Sequence, residues 1–238
     1  MEGLTSLAGR VIAIAGAGGN LGPSVVRRLA PTGAALALGG RDEESLDAIA
    51  RDAGVEADTA AVDLLDPEAA RRWASGIAER HGRVDGVVHL VGGWRGGKPI
   101  EEAPLEDWDF LHALLIRTLT HATQAFAPHL IGSGRGRFVA VSSSQAQSPT
   151  NTNAAYAAAK AAADAWTLAL AHRFQGTGAT ANIVVVRSIV TPEMREQEPD
   201  KDFSTFTPAE EIAEAIAYLC SDAAASMNGQ RLTLRGSA

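Results

Sequence analysis

Tyr156 and Lys160 stand four residues apart in Ala154-Ala155-Tyr156-Ala157-Ala158-Ala159-Lys160, and the serine-rich segment Val141-Ser142-Ser143-Ser144 lies just upstream. On a helix, residues four apart share one face, one turn from each other. A phenol beside a fixed positive charge gives up its proton more readily. Such a phenol is suited to passing a proton to or from a carbonyl oxygen.

A second chemical feature opens the chain. Val11–Ala15 runs into Gly16-Ala17-Gly18-Gly19-Asn20-Leu21-Gly22, and Pro23 begins the next helix. A strand, a glycine turn and a helix N-terminus together make an anion site, because bare backbone N–H groups meet the positive end of the helix dipole. Gly16, Gly18, Asn20, Leu21 and Gly22 are the candidate phosphate-binding positions of a dinucleotide site; the alternative is a plain glycine turn. Asn20 stands where a glycine might be expected and tolerates left-handed backbone better than most residues. The second strand ends Leu38-Gly39-Gly40-Arg41, without the acid that usually binds free ribose hydroxyls. Arg41 could instead pair with a 2′-phosphate, so NADP(H) is expected over NAD(H); otherwise Arg41 is a solvated residue at a helix start. Asp63-Leu64 would border the adenine, or Asp63 serves only as a turn residue.

The elements that must position these groups alternate. Strands are expected near 11–15, 34–38, 57–62, 85–91, 136–142, 181–187 and 231–235. Helices are expected near 21–31, 43–53, 67–81, 105–131, 151–175 and 208–221. This order predicts an α/β fold, with a single Rossmann-type doubly wound parallel sheet of about seven strands and helices on both faces. No linker divides residues 1–238, and the polar stretch 193–207 is a candidate substrate lid.

With these pieces in place, the chain resembles the short-chain dehydrogenase/reductase family over nearly its whole length. The matching parts are the Gly16–Gly22 turn, Asp63-Leu64, Val141-Ser142-Ser143, Tyr156-x-x-x-Lys160, Thr191-Pro192 and Met227-Asn228-Gly229-Gln230. The resemblance implies that Tyr156 is the general acid in reduction and the base in oxidation. It implies that Lys160 lowers the Tyr156 pKa and holds the nicotinamide ribose, and that Ser143 donates to the substrate oxygen. Thr191 would contact the carboxamide, and Gly92 would border the cofactor. Hydride transfer between the nicotinamide and a small or medium apolar carbonyl or alcohol is the implied reaction. A homodimer or homotetramer is the implied assembly.

The chain also departs from that pattern. His89 stands in Val88-His89-Leu90-Val91-Gly92, where two asparagines are expected; it is read as a packed residue rather than a catalyst. Leu115 occupies the place of an active-site Asn, and leucine cannot hydrogen-bond. Arg187 replaces part of a Pro-Gly pair and would make a structural ion pair, or contact a phosphate or an acidic substrate group. Trp94 and Arg95 would shape a substrate pocket or a surface loop. Trp108, Trp166 and Phe126 are expected in a core or interface. These departures keep a second reading open, a dinucleotide binder with weak or no catalysis and a regulatory or structural role.

The whole-chain properties narrow the partners. The 238 residues are 46% hydrophobic and 21% charged, with a net charge of -7. No basic run occurs, which argues against nucleic acid. The single Cys220 cannot form an internal disulfide. Met1–Thr5 lacks a basic leader, and the Ala154–Ala171 stretch is interrupted by Lys160 and Asp164. A cytoplasmic protein with no membrane span is expected. No metal site is expected from the six histidines. Helices near 105–131 and 151–175 are apolar on more than one face, which predicts a four-helix interface between subunits.

Overall fold

The computed structural model describes residues 6–236; the Met1–Thr5 segment and the last two residues of the tail lie outside them. Seven parallel strands form one sheet in the order β3-β2-β1-β4-β5-β6-β9. They are β1 (Val11–Ala15), β2 (Ala35–Gly40), β3 (Ala57–Ala61), β4 (Gly86–His89), β5 (Arg137–Ser143), β6 (Thr180–Val186) and β9 (Arg231–Thr233). Two short strands, β7 (Ile189–Val190) and β8 (Thr207–Pro208), pair apart from it.

Side chains alternate across the strands, so the sheet has two apolar faces. Ile12, Ile14, Leu36, Leu38, Val88, Val139 and Val184 pack against α1 (Gly22–Leu29), α2 (Glu43–Asp52) and α8 (Ala209–Leu219). Val11, Ala13, Val87, Phe138, Ala140 and Ala181 face α3 (Pro67–His81), α5 (Thr118–Gly132) and α6 (Ala154–Arg173). The doubly wound sheet expected from the alternation is therefore present, with no strand end more than two residues from the expected one.

The long helix expected over 105–131 is three pieces. Helix α4 (Leu105–Leu111) passes into a π-helical turn, His112–Arg117, and then into α5. Such bulges inside helices concentrate at functional sites. Thr118 Oγ1 donates to the Leu114 carbonyl at 2.6 Å, taking up a backbone acceptor in the widened turn. Helix α5 continues through Pro128 to Gly132. The 193–207 stretch holds α7 (Pro192–Gln197) and is tied down by the β7–β8 pair, with Phe203 buried.

Candidate active site

The C-terminal ends of β1, β4, β5 and β6 converge on one edge, where open parallel sheets offer a crevice to ligands. After β1 the chain turns sharply. Gly16 and Ala17 donate their N–H groups to Gly39 O at 2.8 and 3.1 Å, which ties the turn to the end of β2. Gly16 has φ +81°, and a Cβ there would sit 2.8 Å from Val91 N. A Cβ on Gly22 would sit 1.7 Å from Ala17 O. Both positions therefore require glycine. Within the turn, Gly19 and Gly22 donate to Gly16 O and Gly19 O. The N–H groups of Gly18, Asn20 and Leu21 donate to no backbone acceptor among the described residues, and Pro23 at the start of α1 has no N–H to satisfy. Asn20 does not take the left-handed backbone that its place suggests; every positive φ among the described residues belongs to glycine.

Arg41 directly follows β2, is exposed, and forms no ion pair with a described residue. Asp63 follows β3, and its Oδ1 accepts from Leu65 N at 2.9 Å, so it is at least a turn residue. Leu64 is buried, and its carbonyl meets His121 Nδ1 at 2.9 Å. Thr191 caps α7 by accepting from Met194 N at 3.3 Å. It lines a cavity of about 460 Å³ with Gly18, Gly19, Asn20 and Met194. The candidate lid thus lies across from the glycine turn. Ser143, Tyr156 and Lys160 do not line this cavity; Ser143 ends β5, and Tyr156 and Lys160 lie on α6.

Ser143 ends β5 and is buried, and its Oγ accepts from Gln145 N at 3.2 Å. That bond leaves the hydroxyl proton free, and the Ser143 hydroxyl interacts with the Tyr156 phenol. Asn153 at the start of α6 holds the approach to Tyr156, accepting from Thr150 N at 2.7 Å and donating to Gln145 Oε1 at 2.7 Å. Lys160 is buried one turn on, and its Nζ donates to Val141 O at 2.9 Å. Ser143 thus ends β5, while Tyr156 and Lys160 lie one turn apart on α6, which Lys160 ties to β5 through Val141 O.

Their electrostatics differ from the simple reading of Tyr156 beside Lys160. Burial pushes the phenol above its usual pKa; Ser143 opposes this and the Asp164 charge adds to it. The ammonium is spent on the Val141 carbonyl rather than on the phenol. Burial lowers Lys160 to about 8, while Asp164 works to raise it.

The departures have places too. Leu115 lies in the π-helical turn and packs against Ala159, with Tyr156 and Ala155 at the edge of the cluster. An apolar wall therefore stands where a polar group is expected. His89 is buried at the end of β4, 3.5 Å from Thr118 Oγ1, and its Nδ1 has no partner. Gly92 is exposed next to it, near the Leu115 side chain. Arg187 follows Val186, the register partner of Ser143; it is exposed, and the structural ion pair expected for it is not made with any described residue. Arg95 stacks on Phe110 at 3.7 Å and reaches Asp107 at 3.3 Å, while Trp94 is exposed. Phe126 is core, edge-on to Trp73, but Trp108 and Trp166 remain half-exposed.

One residue of this region was read from the sequence only as a break in an alanine run. Asp164 is buried one helical turn beyond Lys160 and pairs with Arg231 Nη1 at 2.6 Å. Its signal was the continued spacing of four from Tyr156 through Lys160. Among the described residues, no His, Cys, Asp and Glu cluster could hold a metal. No helix among them is long and apolar enough to cross a membrane.

Residues 16–236 match the family model described as enoyl-(acyl carrier protein) reductase. The chain is 30% identical to gluconate 5-dehydrogenase of Gluconobacter oxydans, covering 98% of this chain and 96% of that protein. It is 28% identical to a 3-oxoacyl-(acyl-carrier-protein) reductase of Thermotoga maritima, covering 97% and 98%. Among solved structures, a Burkholderia cenocepacia gluconate 5-dehydrogenase in complex with NADP and tartrate superposes with a TM-score of 0.86 at 28% identity, covering 97% and 95%. The chain belongs to the short-chain dehydrogenase/reductase family, a family of oxidoreductases.

Burial of His89 has a measurable consequence. Its pKa falls to about 3, chiefly through burial and secondly through the Lys160 charge. The unfolded chain, with an ordinary imidazole near 6.5, binds more protons below that pH. His89 therefore opposes folding as pH drops from about 6.5 towards 3, by up to about 1.4 kcal/mol per unit. Urea unfolding between pH 7 and pH 5 should show a smaller loss of stability for His89→Asn than for the wild type. Parallel curves would mean that the imidazole is solvated.

Proposed function

We propose that this protein is a dehydrogenase/reductase that prefers NADP(H) and acts on a small carbonyl or alcohol, with Tyr156 as its acid and base. What supports this reading is that Ser143 at the end of β5 acts on the Tyr156 phenol, that Lys160 one turn on along α6 is bonded to β5, and that the glycine turn after β1 keeps three N–H groups without a backbone acceptor among the described residues. When bound, the nicotinamide supplies or accepts the hydride.

The cradle fits a dinucleotide because Gly16 and Gly22 leave no room for a side chain and Gly18, Asn20 and Leu21 leave donors unused. Those donors would hold the pyrophosphate. Arg41 would hold the 2′-phosphate, and Asp63, Leu64 and Gly92 would border the cofactor along the strand ends. Lys160 would hold the nicotinamide ribose and Thr191 the carboxamide. Ser143, with its oxygen already engaged by Gln145 N, donates its proton to the substrate oxygen. Tyr156 gives its proton to that oxygen in reduction and takes it back in oxidation. Burial keeps the phenol protonated, the form reduction needs.

Leu115 supports a second reading, a dinucleotide binder with little catalysis, because the wall it builds supplies no hydrogen-bonding side chain beside Lys160. One comparison separates the two. Tyr156→Phe is expected to keep NADPH affinity and to lose about 10²–10⁴ in carbonyl reduction. Tight NADPH binding with no turnover in the wild type, across a panel of carbonyls, would favour the binder.

Arg41→Ala is expected to weaken NADPH binding by about 1–3 kcal/mol, as for a lost charged hydrogen bond, and to leave NADH binding nearly unchanged. Equal losses for the two cofactors in a fluorescence titration would count against the 2′-phosphate contact.

Assembly completes the proposal. Leu105, Trp108, Phe110, Trp166 and Leu168 leave apolar surface exposed on α4 and α6. A homodimer or homotetramer that covers this face is expected in sedimentation at micromolar concentration. A monomer there would remove it.

A further inference from the structure

A lysine ammonium buried against a sheet loses its water and must recover that energy from partners. Lys160 is buried, and its one hydrogen bond to a described residue goes to the neutral carbonyl of Val141. Leu115 and Ala159 pack together beside it and supply no polar side chain. The acidic group that acts on it is Asp164, also buried on the next turn of α6.

Asp164 is not adrift in the alanine helix. Arg231, on edge strand β9 in register with Ile183 of β6, lies 2.6 Å from its Oδ2. The buried Ser142 hydroxyl favours the ionised form of the same carboxyl. With its amide oxygen turned inward, Gln147 accepts from Arg231 Nε at 3.1 Å and Nη2 at 3.2 Å. The carboxyl is thus braced by two strands and by the loop that follows Ser143. Around Lys160 the titratable and charged groups are Tyr156 and Asp164 on α6, His89 from β4 and, beyond Asp164, Arg231 from β9. Strand β5 adds only the Val141 carbonyl and the Ser142 hydroxyl.

We propose that Asp164, braced by Arg231, is a positioning residue that keeps Lys160 an ammonium and in place beside Tyr156. This deepens the dehydrogenase reading and rests on it for the role of Lys160. His89 cannot do the work, since it is held neutral and the lysine charge helps to keep it so. Tyr156 cannot do it while its phenol stays protonated. Asp164 also bears the cost: burial raises its own pKa, and Arg231 with Ser142 and Lys160 pulls it back towards the carboxylate. The three charges, Arg231, Asp164 and Lys160, form a chain running from the edge strand to the catalytic face.

The test reads the lysine directly. The Lys160 Nζ and Cε signals of isotope-labelled protein, identified by their absence in Lys160→Met, are followed by NMR from pH 6 to pH 10. In the wild type the ammonium should titrate near about 8. Asp164→Asn keeps the shape and removes the charge, and should lower the midpoint by one unit or more, about a tenfold loss of proton affinity. Arg231→Gln leaves the carboxyl easier to protonate and should lower the midpoint in the same direction by less. An unmoved midpoint in either folded variant would overturn the proposal. The carboxyl carbon of Asp164 in the wild type gives a check that needs no variant: a neutral carboxylic acid at pH 7 would also overturn it. The dehydrogenase reading fails differently, by absent NADPH binding or absent turnover in a wild type whose Lys160 still responds to Asp164. If both hold, the alkaline limb of the reduction rate moves to lower pH in Asp164→Asn by the same amount as the lysine midpoint.

Discussion

A positive charge taken out of water between a helix and a sheet is the constraint around which this protein is arranged. Lys160 is buried, and burial weakens its hold on its proton. What keeps the arrangement viable is that the charge is not isolated. The Val141 carbonyl accepts from it, and Asp164 lies one turn away with Arg231 beyond. The strand that provides that carbonyl ends two residues later at Ser143. The helix that carries the lysine carries Tyr156 one turn earlier. Fixing the ammonium therefore fixes the serine and the phenol with it.

The parallel sheet explains why the cradle lies nearby. Parallel strands joined by helices all end on one edge, so β1 and β5 deliver the glycine turn and the serine to the same crevice. The turn is held by bonds from Gly16 and Ala17 to Gly39 on the next strand. Its remaining N–H groups meet no backbone acceptor among the described residues, the property an anion site needs. Electrostatics and topology thus act together: one edge gathers the groups, and the buried charge orients one wall of it.

The site also departs from the family pattern in a coherent way. The π-helical turn places Leu115 over α6, and the buried imidazole of His89 faces Thr118 at a long distance with one nitrogen unpartnered. Arg187, with no ion pair to a described residue, lies exposed just beyond the end of β6.

The amino-acid order alone determined the layered fold, because alternating short aliphatic runs and longer amphipathic ones leave a right-handed parallel sheet as the natural solution. It also determined the cradle and the Tyr156–Lys160 pair, since glycine needs and helical spacing are local properties. Only the folded chain decided the rest. The split of residues 105–132 by a π-helical turn leaves no mark in the apolar spacing and shows only in the folded chain. The partnership of Asp164 with Arg231 joins residues 67 positions apart in sequence, through an edge strand of three residues. The rise in the Tyr156 pKa depends on burial and on a carboxylate that spacing shows but cannot weigh. Proton affinities answer to desolvation and distance, and those exist only after the sheet and its helices have closed around the charge.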